Sequence, residues 1–482
     1  MGILNLILAC IIVPALGGVT NWIFARHPNL RDITTFVISI VTFALVLTLL
    51  LKVGSATLAP MALIEVFPGI EIAFHVEPLG MMFAVIASGL WILTHIYGVG
   101  YMRGNNEKAH GRFFASFALA ISAVLALAFS ANLFTLFLFY EILTVSTYSL
   151  VAHKGTPEAV RGARIYLAIL MGTSIALFMT GVVWTFVLAD TLDFVPGGIL
   201  EGHVEGILVP ILLALFAFGI GKAALMPFHK WLPNAMVAPT PVSALLHAVA
   251  VVKAGVFTVL KVGIYIFGID FLAETGASDW LMWVAAFSIL AASVVAMTKD
   301  NLKARLAYST VSQLSYITLG LALATEMGVI GGGVHIATHA VGKITLFMCA
   351  GAIYVATHKT LISELDGLGR AMPITFGAFL IGALSIIGLP PFAGSWSKFS
   401  LLVGAADADQ MIMIAVLLIS SILNVAYLLP IVGRGFYTGP KLAYAEAPVL
   451  VWVPPAITAV LCVAVFFYAG HIQSFLMAIV GL

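Results

Sequence analysis

Long apolar runs alternate with short polar loops from one end of the chain to the other. A helix needs about 20 apolar residues to cross a bilayer. The runs predict fourteen spans, at roughly 3–24, 33–52, 79–97, 113–130, 132–152, 163–189, 207–226, 241–266, 280–298, 304–325, 329–356, 374–403, 410–433 and 449–470. The expected fold class is an all-α polytopic membrane protein. The first run, Ile3 to Phe24, lacks a basic start and a small-residue cleavage site, so it reads as a first span and not as a cleaved signal.

Two runs are interrupted. Lys222 sits in the apolar stretch Val209 to Met226, with Pro227 and Pro233 expected to break the helix after it. Pro390 and Pro391 interrupt the span that begins near Ile374, and Lys398 follows in LPPFAGSWSKF. Each broken span is the fourth of a group of five, 113–266 and 280–433, and the two run in opposite directions. Paired broken helices of opposite direction are what an inverted repeat predicts, and they point to an ion path. A three-helix segment, 1–112, precedes the repeats, and a C-terminal helix, 434–482, follows them.

Composition agrees with the pattern. The chain has 482 residues, 62% of them hydrophobic and 9% charged, with mean hydropathy +1.13. Soluble domains carry about 25% charged residues, so a soluble enzyme is excluded. Loops too short to form a domain leave any nucleotide or redox cofactor to other chains. No cofactor and no metal site is expected here. The expected partners are other membrane subunits and the lipid bilayer, with no nucleic acid. Cys10, Cys349 and Cys462 lie far apart in apolar runs and read as small core residues.

The basic residues orient the chain. With the N-terminus outside, the inner loops and span ends carry Arg26, Arg31, Arg103, Lys108, Arg112, Lys154, Arg161, Arg164, Lys230, Lys299, Lys303, Arg305, Lys359, Arg370, Arg434 and Lys441. The outer side carries Lys52 alone. The positive-inside rule then holds at every loop. Both termini are expected outside, in a bacterial inner membrane.

Five lysines remain within spans: Lys222, Lys253, Lys261, Lys343 and Lys398. Ammonium groups in hydrocarbon are costly, so they mark ion paths. Glu141 reads as the only carboxylate inside a span and is expected to pair with Lys222. A carboxylate favours the charged lysine and burial opposes it, so forming and breaking that pair would switch proton retention. His247 and Lys253 are six residues apart, about 9 Å along a helix, a gap that water can bridge. His335, His339 and Lys343 share one helix face at i, i+4 and i+8. That spacing suits a proton relay, and no further ligands for a metal stand nearby. Lys261, near the outer end of its span, is expected to snorkel. The stretch TKDNLKARLAYSTVSQLSY reads as a topology anchor and helix start, and GGG at 331–333 follows no strand, so it is not a nucleotide loop.

Five segments carry a family resemblance: LFYEILTVSTYSLV, KAALMPFHKWLPNAMVAPTPVSALLHA, DNLKARLAYSTVSQLSY, HIATHAVGKITLF and GLPPFAGSWSKF. In these the chain resembles the antiporter-like subunits of respiratory complex I, Mrp-type cation/proton antiporters and membrane-bound hydrogenases. The resemblance implies fourteen helices in two inverted five-helix repeats. It also implies a glutamate–lysine pair (Glu141 and Lys222), a central relay (His247, Lys253, His335 and His339) and a terminal lysine (Lys398). The chain stops soon after its fourteenth expected span and looks most like the D-type Mrp subunit. The expected function is a proton-translocating subunit of a multisubunit complex, a Mrp-type Na⁺/H⁺ antiporter first. The alternatives are the membrane pump of a redox-driven complex and an energising partner in bicarbonate uptake.

Overall fold

The computed structural model describes residues 2–54, 58–245, 249–440 and 442–479. Two helices open the chain, α1 (Ile3–Ile23) and α2 (Pro28–Val53). A hairpin of β1 (Met61–Phe67) and β2 (Ile70–Phe74) then leads into α3 (Pro78–Gly104). Next come α4 (His110–Ala128), α5 (Leu133–Val151), α6 (Pro157–Thr173) and α7 (Met179–Ala189). A π turn, Ser174–Phe178, joins α6 to α7. The middle of the chain is broken into α8 (Leu208–Gly219), α9 (Trp231–Asn234), α10 (Thr240–Ala244), α11 (Val251–Val262) and α12 (Ile269–Thr275). Then follow α13 (Asp279–Thr298), α14 (Leu302–Ala322), α15 (Glu326–Thr357), α16 (Pro373–Ile387), α17 (Gly394–Asp407), α18 (Met411–Tyr437) and α19 (Val449–Met477).

Local chemistry sets many of the helix starts. Glu77, Asn132, Thr156, Asn301 and Thr325 each accept a backbone N–H in the first turn of the helix that follows. Such caps satisfy donors that have no partner inside the helix. Proline occupies the first position of α2, α3, α6 and α16, where its missing N–H costs nothing.

Among the described residues, ten helices are long and apolar enough to cross a membrane, or eleven if α11 and α12, bent by 78°, form one span. The fold is thus a polytopic helical membrane fold, to which the hairpin adds a strand pair that an all-α expectation lacked. The short apolar helices α8 and α16 do not reach that length alone.

The broken helices correct the sequence reading. α8 stops at Gly219, before Lys222, and not at Pro227. A Cβ on Gly219 would lie 2.3 Å from the backbone nitrogen of Phe178, so the end of α8 is seated directly on the π turn. Lys222 falls in a tight 3₁₀ turn, Gly221–Ala223, within the break. Within the run Pro241 to Ile266, α10 ends at Ala244 and α11 begins at Val251. His247 lies outside the described residues. The break at Pro390 and Pro391 stands as expected, with α16 ending at Ile387 and α17 starting at Gly394.

α15 forms the centre. Every residue from Gly328 to Ile353 is buried, and the helix packs against α3, α10, α11, α14, α16, α17 and α19. The large apolar side chains left exposed, among them Trp22, Leu51, Ile422 and Phe467, lie on the peripheral helices α1, α2, α18 and α19. Basic helix ends meet at one end of the bundle. Lys154, Lys303 and Lys359 line one cavity there, and Lys154 lies 4.0 Å from Glu107. Asp32 is buried between Arg31, at 2.7 Å, and Arg103, at 2.6 Å. Asp32 lies within α2, so Glu141 is not the only carboxylate in a span.

Candidate functional site

Lys222 is fully buried in the break after α8. Its ammonium donates to the Tyr140 carbonyl at 2.8 Å and to the Thr144 hydroxyl, and it lies over the Tyr140 ring. Its backbone N–H donates to the Tyr140 hydroxyl at 3.1 Å, and Trp231 Nε1 donates to the Gly221 carbonyl at 2.9 Å. Backbone groups freed by a break inside a membrane need such partners.

The expected Glu141–Lys222 ion pair is not formed among the described residues. Tyr140 and Thr144 are i and i+4 on α5 and share the face that meets Lys222, whereas Glu141 is turned about 100° away from Tyr140. Both Glu141 oxygens are buried without a hydrogen-bond partner among the described residues, although the carboxylate acts on Lys222 through space. An unmet buried carboxylate beside a lysine held by neutral groups is an arrangement that a proton or a side-chain rotation can change.

The next link joins the two halves of the chain. Lys253, on α11, is hydrogen-bonded to His339 Nδ1, on α15, and both are buried. The two segments that hold Lys222 and Lys253 touch at Gly255, where a Cβ would lie 2.3 Å from the Lys222 carbonyl carbon. The His339 and His335 rings are 5.6 Å apart. His335 Nδ1 shares a hydrogen bond of 2.9 Å with the Ser397 hydroxyl, which also meets Thr338. Tyr316 stacks on His335 at 5.4 Å, and the Lys398 ammonium lies 5.1 Å from the Tyr316 ring. Lys398 donates to the Ile387 carbonyl at 2.8 Å and to Ser421 at 3.0 Å. It lines a groove of about 780 Å³ with Trp396, Phe399 and Phe466.

Lys343 leaves this line. It donates to Ser309 at 2.6 Å, and Ser309 meets the Tyr427 hydroxyl at 2.8 Å, so Lys343 faces α14 and α18. The structure therefore brings together Lys253, His339, His335 and Lys398, sets Lys222 beside them through Gly255, and sends Lys343 along a branch.

Sequence reasoning missed Tyr140, Thr144, Ser309, Tyr316 and Ser397. Ser309 and Tyr316 lie in the stretch read as a topology anchor and helix start, where α14 does begin, capped by Asn301. Their signal was the run of hydroxyl residues following Arg305, within a predicted span. Lys261 does not snorkel. It is fully buried and lies 3.5 Å from Glu77. No group of three His, Cys, Asp or Glu side chains is placed to hold a metal among the described residues.

Residues 130–424 match the family described as NADH:quinone oxidoreductase/Mrp antiporter, TM. Residues 68–114 match the N-terminal segment of complex I chain 5. NADH-quinone oxidoreductase subunit N of Desulforudis audaxviator is 33% identical over 392 residues, covering 79% of this chain and 76% of that one. NAD(P)H-quinone oxidoreductase chain 5 of Synechocystis sp. is 32% identical over 362 residues, covering 71% of this chain but 51% of the relative. The chain thus spans about half the length of that relative. A chain in the solved structure of the Mrp complex from Dietzia sp. superposes with a TM-score of 0.86 at 20% identity, covering 98% of this chain and 96% of that one. At that identity the likeness is one of fold.

Proposed function

The chain belongs to the family of membrane subunits shared by NADH:quinone oxidoreductases and Mrp antiporters, and from that premise we propose that it translocates protons within a Mrp-type Na⁺/H⁺ antiporter. The observation that carries the reading is the buried contact of Lys253 with His339. It links α11 to α15, and so joins the half of the chain around Lys222 to the half around Lys398. Protons would pass between ammonium, imidazole and hydroxyl groups, with Glu141 acting on Lys222. Intramembrane ionisable groups aligned in this way are the parts of a proton relay.

Fourteen spans and two inverted five-helix repeats, 113–266 and 280–433, belong to the same proposal. The ten long helices would be joined by α8 continued through its break, by α11 with α12, by α14, and by α16 with α17. Both termini would face the outside of a bacterial inner membrane, with the basic helix ends inside. A reporter fused after Leu482 tests this: activity on the cytoplasmic side would defeat the arrangement.

The Mrp reading rests on the segments that resemble the D-type Mrp subunit; the fold does not choose, since the Dietzia Mrp chain and a chain of Thermus thermophilus complex I are matched almost equally fully. A second reading, the pump of a redox-driven complex, is favoured by the curated relatives, whose names are those of quinone oxidoreductase subunits. Purifying the native complex separates the two. Several small membrane proteins and Na⁺-dependent proton flux in proteoliposomes are expected. Copurifying flavin or iron–sulfur subunits, with flux driven by a reductant and indifferent to Na⁺, would overturn the antiporter in favour of the pump.

A further inference from the structure

One buried ionic cluster lies outside the relay. Glu77 caps α3, and its two oxygens accept the N–H groups of Leu79 and Gly80, each at 2.8 Å. The segment before it is tied to the end of α4, where His75 N–H donates to the Phe129 carbonyl at 2.8 Å. The end of α11 arrives at the same place. There Lys261 donates to the Ser130 carbonyl at 2.8 Å, and Tyr265 donates to Glu77 at 3.1 Å. The Lys261 and Glu77 side chains are both 0% exposed.

A structural staple explains this cluster incompletely. The Lys261–Glu77 separation of 3.5 Å exceeds the span of about 2.7–2.9 Å usual for a charge-assisted bond. Each ion takes its closest hydrogen bonds from other groups. His75 is 4% exposed, yet its Nδ1 has no hydrogen-bond partner among the described residues. The charges of Lys261 and Glu77 both act on that ring. Lys261 is eight residues beyond Lys253 on α11, about 12 Å further along the axis. Two exposed acids lie in adjoining segments: the Asn132 side-chain amide donates to the Glu71 carbonyl, and Asp193 stands opposite Asn132 in a β-bridge.

We propose that Lys261 and His75 form the outer terminus of the proton path, with Glu77 and Tyr265 as positioning residues. This rests on the proton-translocating reading above. In the outward step an N–H bond of the Lys261 ammonium breaks and one forms on an imidazole nitrogen of His75. The imidazolium releases a proton to outer water, and the Lys261 amine regains one from the Lys253 side. Glu77 remains a carboxylate, held by the N-terminal amides of α3, which favour an anion there.

The test uses the intact complex in inverted membrane vesicles, with subunit level checked by immunoblot and proton flux by a pH-sensitive dye. Lys261→Arg keeps the charge and the pair but cannot give up a proton. It is expected to assemble and to lose flux by about tenfold or more. His75→Gln leaves the ion pair untouched and is expected to lower flux in the same sense. Wild-type flux in both variants would make the cluster a staple and overturn the proposal. Lys253→Met is the reference. If it abolishes flux while the Lys261 and His75 variants do not, only the outer terminus fails. If it too has wild-type flux, the proton-translocating reading itself fails.

Discussion

Adding one methyl group at Gly255 should displace Lys222. A Cβ at this position would lie 2.3 Å from both the Lys222 carbonyl carbon and the Ala223 nitrogen, and 2.7 Å from the Lys222 oxygen, whereas ordinary contact begins at 3.4 Å. The atoms in the way are backbone, so no rotamer can relieve the clash. The turn and α11 must separate by about 1 Å, and overpacking of this kind costs about 1–3 kcal/mol. Lys222 is held by the Tyr140 carbonyl and the Thr144 hydroxyl, whose geometry tolerates little movement. A misplacement of about 1 Å can lower the rate of a positioned reaction by roughly a hundredfold. Gly255→Ala is therefore expected to assemble at a reduced level and to translocate at least tenfold more slowly per assembled complex. Gly377→Ala serves as control, because a Cβ there meets nothing within 4 Å. The assay is proton uptake in inverted vesicles, normalised to subunit level by immunoblot. Wild-type flux per complex in Gly255→Ala would refute the claim that the break is positioned by this contact.

Three further expectations follow from the same geometry. Glu141→Ala should insert and assemble normally but lose most proton flux, because it removes the carboxylate that acts on Lys222; full flux would assign Glu141 a packing role. Lys398→Ala should impair flux while the complex stays assembled, and Lys398→Glu should be tolerated better, since a carboxylate also carries a proton; equal loss in both, read by the same dye, would argue against a carrier at this position. Asp32→Asn should leave flux per complex unchanged but weaken the subunit, measured as the fraction surviving heating in detergent. Its cost lies toward the lower end of about 3–5 kcal/mol for breaking a buried pair, because the Arg103 side chain is 44% exposed.

The spans and most of the buried charges were legible because both rest on composition along the chain. Val209 to Met226 is visibly apolar and Lys222 visibly out of place within it. The position of the break was not legible, since Pro227 is the stronger helix breaker and α8 nevertheless stops at Gly219. What stops it is contact with the π turn at Phe178, a tertiary fact. Lys222 takes Tyr140 and Thr144 in place of Glu141 because helix rotation decides which face of α5 meets the break. Lys261 reads as a snorkelling residue by its place near a span end, and only the fold brings Glu77, 184 positions earlier, to its side. Tyr316 was hidden because a tyrosine in a span carries no charge to mark it, and only the fold places it, fully buried, between His335 and Lys398.

The proposed relay depends on whether Lys222 gives up and regains a proton or simply holds a charge. Lys222→Arg separates these, because a guanidinium keeps the charge and stays protonated at any physiological pH. The measurement is proton flux through the purified complex in proteoliposomes, with assembly confirmed on the same preparation. Loss of flux in an assembled complex is the expected result. Flux at the wild-type rate would show that Lys222 is a fixed charge and that protons take another route.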